Sequence, residues 1–230
     1  VLLRVEGLTK SYRADAPPVL DGVDLQLRAG EYLAIMGESG AGKSTLLNLI
    51  AGLDVPDAGR VLVEGIDLAA LSDDARTRLR RARLGFIFQA FHVLPYLTVM
   101  QNVSLPLQLL GCDPGTRAAR ALRMLEACGI GPLAARYPRE LSGGELQRIA
   151  IARALVHEPR LVLADEPTGN LDAHSAELIL RLLREQLHAT GAAAILITHS
   201  LAAASSADRL LRLVAGRLSE RPHASAARLP

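Results

Sequence analysis

The stretch GESGAGKST, residues 37–45, is preceded by the apolar run YLAIM (32–36) and followed by LLNLIAG (46–52). The apolar run does not alternate with polar residues, so it reads as a strand buried on both faces. The segment after the loop has helical character and stops at Gly52. Between them, Gly37, Gly42, Lys43 and Ser44 occupy the fixed places of the pattern G-x-x-x-x-G-K-[ST]. Glycines let successive backbone N–H groups turn inward on a phosphate, and the following helix adds the positive end of its dipole. Lys43 would reach the outer phosphates and the Ser44 hydroxyl would ligate Mg²⁺. The plainer reading is a glycine-rich turn between strand and helix. Against it stands the rarity of lysine: 24 of the 26 basic residues are arginine, and only Lys10 and Lys43 are lysine.

Outward from the loop, VDLQLRAG (23–30) alternates Val23, Leu25 and Leu27 with Asp24, Gln26 and Arg28, the period of a half-buried antiparallel strand. RVLVEG (60–65), LGFIFQ (84–89), RLVLAD (160–165) and AAILIT (193–198) read as further strands, and RLLRLVAGRL (209–218) as a closing strand and turn. Ser72 ahead of Asp73 and Asp74 opens a helix to about Arg83. From about 90 to 158 the pattern is helical: one helix from Thr98 disturbed by Pro106, one capped by Asp113 with Pro114 at its first position, and one after Ser142. Another runs from about His174 to Thr190, stopped by Gly191. Strands alternating with helices indicate an α/β fold with a mostly parallel sheet. The N-terminal strands form a small antiparallel addition and 90–158 a helical insertion, in one domain over 1–217 with a flexible tail from 218 to 230.

A nucleoside triphosphatase needs acid groups at the end of a neighbouring strand. LVLADEP supplies Asp165 and Glu166 after an apolar run. Asp165 can hold the metal and Glu166 can polarise an attacking water; alone, the pair could equally be a solvated acidic turn. LSGGE (141–145) combines a capping box, Ser142 with Glu145, and two glycines that are costly in a first helical turn unless something must approach closely. It is either a well-capped helix or a second anion site.

Taken in order, these stretches resemble the nucleotide-binding subunits of ATP-binding-cassette (ABC) transporters over residues 1 to about 217: the phosphate loop, Gln89 at a strand end, the LSGGE signature, the LVLADE strand, GNLD (169–172), and His199 after a strand. The resemblance implies an ATPase, with a P-loop core, a small antiparallel β subdomain and an inserted helical subdomain. It implies that Gly37, Glu38, Ser39, Gly40, Ala41, Gly42, Lys43, Ser44 and Thr45 bind ATP, that Tyr12 stacks on adenine, and that Ser44, Gln89 and Asp165 surround Mg²⁺. Glu166 would be the general base, His199 would contact the γ-phosphate, and Asp172 would report across a dimer interface. Ser142, Gly143 and Gly144 would close over ATP held by a second copy in a head-to-tail homodimer. The commonest signature carries Gln where Glu145 stands. DEPTGNLD and FIFQAFHVLPYLTVMQNVSLPL (86–107) resemble the lipoprotein-release, macrolide-export and cell-division group. That implies a separate transmembrane permease, docking near residues 90–110, and a place on the cytoplasmic face of the inner membrane.

Formal charge is +2, less basic than nucleic-acid-binding domains usually are. The run RTRLRRAR (76–83) comes without the aromatic platform of a single-strand binder, so it reads as a solvated face, favoured by anionic lipid, and no nucleic-acid partner is expected. Cys112 and Cys128 have no metal or redox spacing. No run approaches the length of a membrane span, and there is no signal-peptide pattern. A soluble ABC ATPase of DNA repair or translation is the competing function. The short span from Lys43 to Leu141 leaves no room for the coiled coil of the repair type, and translation types usually fuse two cassettes. A P-loop kinase has no use for LSGGE.

Overall fold

The computed structural model describes residues 1–13 and 15–220. Strands β1 (Leu3–Lys10), β2 (Leu20–Leu27), β4 (Ala58–Val63) and β5 (Ile66–Asp67) form an antiparallel sheet in the order β2-β1-β4-β5. The alternation read in β2 is realised: Val23, Leu25 and Leu27 are buried while Asp24 and Gln26 face out.

The second sheet has the order β10 (Arg217–Glu220), β9 (Arg209–Val214), β3 (Tyr32–Met36), β8 (Ala193–Thr198), β7 (Leu161–Asp165), β6 (Leu84–Phe88). All its pairings are parallel except the β9–β10 hairpin. Strands β3, β7 and β8 are apolar up to the terminal Asp165 of β7 and Thr198 of β8 because each face meets a different core. Leu33, Ile35, Leu161, Leu163, Ile195 and Ile197 pack with the antiparallel sheet and α1 (Lys43–Ile50). Val162, Ala164, Ala194 and Leu196 pack on the other side with α3 (Val99–Leu109), α4 (Pro114–Ala127), α5 (Gly143–Leu155) and α6 (Ala173–Thr190). A strand buried on both faces has no polar position to alternate with, which is why the sequence runs looked continuous.

The helix boundaries follow local chemistry. Ser72 caps α2 (Asp73–Arg83), Asp113 caps α4, and Thr98 with Gln101 and Ser142 with Glu145 close reciprocal capping boxes on α3 and α5. Gly191 ends α6 at φ 67°, a left-handed position that favours glycine. Pro106 lies inside α3 without ending it; the helix continues to Leu109. A short α7 (Leu201–Ala204) follows β8.

Two expectations change. The arginine run on α2 is not simply a solvated face: Arg80 donates to the Gly52 carbonyl, Arg81 to that of Leu109 and Arg83 pairs with Glu64, so the helix is stapled to its surroundings, while Arg76 pairs with Asp73 within the helix. The tail placed at 218–230 begins too early. Leu218, Ser219 and Glu220 pair with β9 because the turn at Ala215 and Gly216, both at positive φ, folds the chain back. The rest of that tail lies outside the described residues.

Candidate functional site

Parallel strands end on one edge, and loops leaving that edge share a cleft. Met36 of β3 is in register with Thr198 of β8, Ile197 of β8 with Asp165 of β7, and Asp165 with Phe88 of β6. The phosphate loop, His199, Glu166 and Gln89 therefore emerge side by side. They line one cleft of about 790 Å³ together with Tyr12 and Val19.

The loop requires its glycines. Gly42 stands at φ 96°, and a Cβ there would lie 2.7 Å from the Val19 carbonyl; one on Gly37 would lie 2.7 Å from that of Leu213. Gly42 is also the N-cap of α1, and no side chain caps the helix. The first-turn amides are thus left to an external acceptor. The Lys43 ammonium donates to the carbonyls of Gly37 and Glu38, each at 2.8 Å, and so spans the loop. Ser39, Gly40, Gly42, Lys43, Ser44 and Thr45 line the cleft. Gly37, Glu38 and Ala41 border an adjoining depression of about 480 Å³ that His199 also lines.

The Ser44 hydroxyl donates to Asp165 Oδ2 at 3.1 Å. Burial raises the Asp165 pKa, the Ser44 bond opposes that, and the neighbouring Glu166 charge adds to it. A hydroxyl beside a partly desolvated carboxylate is an oxygen donor set that suits Mg²⁺, an ion usually held by few protein groups and the phosphates of its substrate. Among the described residues no cluster of three or more His, Cys, Asp or Glu is built to hold a metal without such help.

Glu166 has a positive φ of 47°, unusual for a residue with a Cβ. Its amide donates to the Ile197 carbonyl at 2.9 Å, and its carboxylate meets His199 twice: Nδ1 at 2.8 Å from Oε1 and the backbone N–H at 3.3 Å from Oε2. Adjacent carboxylates thus face different partners, Asp165 toward Ser44 and Glu166 toward His199. Gln89 exchanges two bonds with Asn170: its Nε2 donates to Asn170 Oδ1 at 3.3 Å and its carbonyl accepts from Asn170 Nδ2 at 2.9 Å. A Cβ on Gly169 would lie 2.7 Å from Gln89 Nε2, so glycine there leaves room for the amide.

Tyr12 stands at the cleft mouth, exposed, and its hydroxyl donates to Asp54 Oδ2 at 2.8 Å. Lys10, nearly buried, grips Asp54 Oδ1 at 3.0 Å and the Val55 carbonyl at 2.7 Å, and its ammonium lies 5.2 Å from the Tyr12 ring centroid. The other lysine of the chain is thereby a support for the aromatic platform. Nothing in the spacing of Lys10, Tyr12 and Asp54 announces this, because a turn at the end of α1 brings Asp54 to them.

Ser142, Gly143 and Gly144 are not among the residues lining the cleft. They open α5 with their capping box closed: Ser142 Oγ is 2.7 Å from Glu145 Oε2, and the Ser142 N–H donates to the same oxygen at 2.8 Å. Those bonds, backbone first, hold the Glu145 carboxyl below the usual range. Asp172 caps α6 through Ser175. Beyond Gln89 an apolar groove of about 570 Å³ runs between β6, α2, α3 and α5, lined by Phe88, Leu94, Leu105 and Leu109 with Arg81 and Arg153.

A family model described as ABC transporter matches residues 20–169. The lipoprotein-releasing system ATP-binding protein LolD of Xanthomonas euvesicatoria is 46% identical over 221 residues, covering 95% of this chain and 91% of the relative. LolD of Anaeromyxobacter dehalogenans is 47% identical over 225 residues, covering 96% and 94%. The ATP-binding cassette MJ0796, solved as a dimer in a post-hydrolysis state with ADP and Pi, superposes with a TM-score of 0.85 at 36% identity, covering 96% of this chain and 99% of that one.

Proposed function

We infer the function from the premise that this chain belongs to the ABC transporter family: it is the ATP-binding and ATP-hydrolysing subunit of an ABC transporter that works with a separate membrane permease of the lipoprotein-release type. The observation that carries this reading is the convergence of the phosphate loop, Asp165, Glu166, Gln89 and His199 on one cleft. The dimeric state of the neighbouring cassette MJ0796 supports a second copy as partner. Among the described residues no helix is long and apolar enough to cross a membrane. In our reading the permease would hold the chain on the cytoplasmic face of the inner membrane.

The contacts support the following roles. Open amides at the start of α1 and the Lys43 ammonium would hold the triphosphate of ATP, with adenine on Tyr12. Ser44 and Asp165, with Gln89, would hold Mg²⁺, which would neutralise phosphate charge. Glu166 would accept a proton from water as its oxygen attacks the γ-phosphorus and the bond to ADP breaks. His199, whose ring Nδ1 lies 2.8 Å from Glu166 Oε1, would hold the base in place and contact the γ-phosphate. Ser142, Gly143 and Gly144 would meet the nucleotide of the second copy. The apolar groove beside Gln89 would receive the permease.

Replacing Glu166 with Gln should leave ATP affinity unchanged, lower turnover by about 10²- to 10⁴-fold and accumulate a dimer with ATP. Chromatography with bound-nucleotide analysis checks this; a variant that stays monomeric and still hydrolyses ATP would remove Glu166 as the base. The same variant, tagged and recovered from membranes with ATP, should bring down a permease with few spans and a large extracytoplasmic domain. A many-spanned permease would retain the family and discard the lipoprotein-release grouping.

A further inference from the structure

The segment that begins at Gln89 is strained. Phe91 and His92 both stand at positive φ, 60° and 48°, a region costly for a residue with a Cβ and seldom used twice in succession. The His92 N–H donates to the Ala90 carbonyl at 2.6 Å, closing a three-residue turn about Phe91. With positive φ at its centre, such a turn is the rarer and more strained of its two forms.

A strained turn persists only where its surroundings hold it. Arg153 on α5 is the holder. Its Nη1 donates to the His92 carbonyl at 2.7 Å and its Nη2 to the Phe91 carbonyl at 3.1 Å. These are the carbonyls of the two left-handed residues, and a planar guanidinium can engage both at once where an ammonium is a point charge. Burial lowers the proton affinity of Arg153 and no acid group offsets it. A desolvated cation without a counter-charge is costly, and the two carbonyls are what it gains.

The location gives the clamp its meaning. Gln89 lines the cleft at one end of the segment. Leu94 and Arg153 line the apolar groove at the other. A Cβ on Gly143 would lie 3.7 Å from the Phe91 ring, so the start of α5 rests against the same turn that its far end grips. Asn102, fully buried on α3, ties down the chain beyond, accepting from the Leu94 N–H and donating to the carbonyls of Leu94, Leu97 and Thr98.

We propose that Arg153 is a positioning residue for ATP hydrolysis: by clamping the Phe91–His92 turn to α5 it sets Gln89 in the cleft and makes this loop move with the helix that carries Ser142–Gly144. The proposal rests on the ATPase reading above. Arg148, five residues earlier on the same helix, is its natural control. It donates to the Cys128 carbonyl at 2.9 Å, where α4 ends, and does not touch the Gln89 segment.

The test compares Arg153→Gln, Arg153→Lys and Arg148→Gln with wild type in the purified chain, by hydrogen exchange of residues 89–92 and by ATP turnover. Arg153→Gln should exchange faster at 89–92 and lose about ten- to a hundredfold in kcat with KM within about twofold, the signature of a reacting group displaced from a distance. Arg153→Lys should recover part of that loss. Arg148→Gln should lower the melting temperature and leave kcat and exchange at 89–92 unchanged. Unchanged exchange at 89–92 in both Arg153 variants overturns the proposal, as does an equal kcat loss in Arg148→Gln. If Arg153→Gln does not fold, Arg153→Lys decides by the same two readouts. Absence of turnover in wild type would count against the ATPase reading, while the exchange comparison would still decide whether Arg153 holds the turn.

Discussion

Two helices in this chain begin on glycines, and they begin differently. At α1, Gly42 caps without a side chain and the first-turn amides have no acceptor of their own. At α5, Ser142 and Glu145 close a reciprocal box over the first turn, and Gly143 and Gly144 follow inside it. Both are places where an anion can meet backbone N–H groups. The first is complete in one chain, since β6, β7 and β8 bring Gln89, Asp165, Glu166 and His199 to it. The second does not line that cleft, and its own carboxylate caps it. In the proposed reading the uncapped start holds the nucleotide of its own chain, and the capped one would meet that of a second copy.

That contrast can be broken most directly at α1. Lys43→Ala should weaken ATP binding to the isolated chain by about a hundredfold, since charge-assisted bonds are each worth about 1.5–3 kcal/mol; calorimetry reads it, and an unchanged affinity would remove the loop from the site. Ser142→Ala sharpens the other half. In the isolated chain its ATP affinity should stay within about twofold of wild type, whereas in the Glu166→Gln background ATP-dependent dimerisation should weaken about a hundredfold, because the symmetric dimer loses a bond of about 1.5 kcal/mol at each of its two nucleotides. Loss of affinity already in the monomer would mean that one chain uses both helix starts on the same nucleotide.

Smaller effects concern stability. Glu145→Ala should cost about 1 kcal/mol by opening the α5 cap, while Glu145→Gln keeps the reciprocal geometry and loses only the charge, a smaller cost at pH 7. The two differ in acid. The Glu145 carboxyl is held below its usual value, first by the Ser142 N–H. A group lowered on folding stabilises the fold above its unfolded pKa and loses that contribution as pH falls through the folded value. Wild type should therefore lose its advantage over Glu145→Gln on acidification below about pH 4.3, the ordinary Glu value. Denaturant midpoints at neutral and acid pH measure this, and a difference that does not narrow would place the stabilisation elsewhere.

Much of this was legible before any coordinates. Loop, capping boxes and acid-ended strand are each local: a glycine needed at φ 96°, a serine three residues before a glutamate, a carboxylate after an apolar run. Local patterns read well because the physical requirement sits within a few residues. The support of Tyr12 by Lys10 and Asp54, the exchange between Gln89 and Asn170, and the grip of Arg153 on Phe91 and His92 had no such signal. Their partners lie 42 to 81 residues apart. One sequence gives no measure of such distance, and among so many arginines nothing marked Arg153.

The sequence by itself determined the phosphate loop, the class of reaction and the order of elements, because glycine torsions, helix capping and two-faced burial are written in short windows. Tertiary structure alone decided that Gln89, Asp165, Glu166 and His199 share one cleft while Ser142 does not. The reason is strand order: β3, β8, β7 and β6 lie side by side and in register although they are far apart in the chain. Hydrogen bonding across the sheet, not proximity in sequence, chooses which strand ends become neighbours.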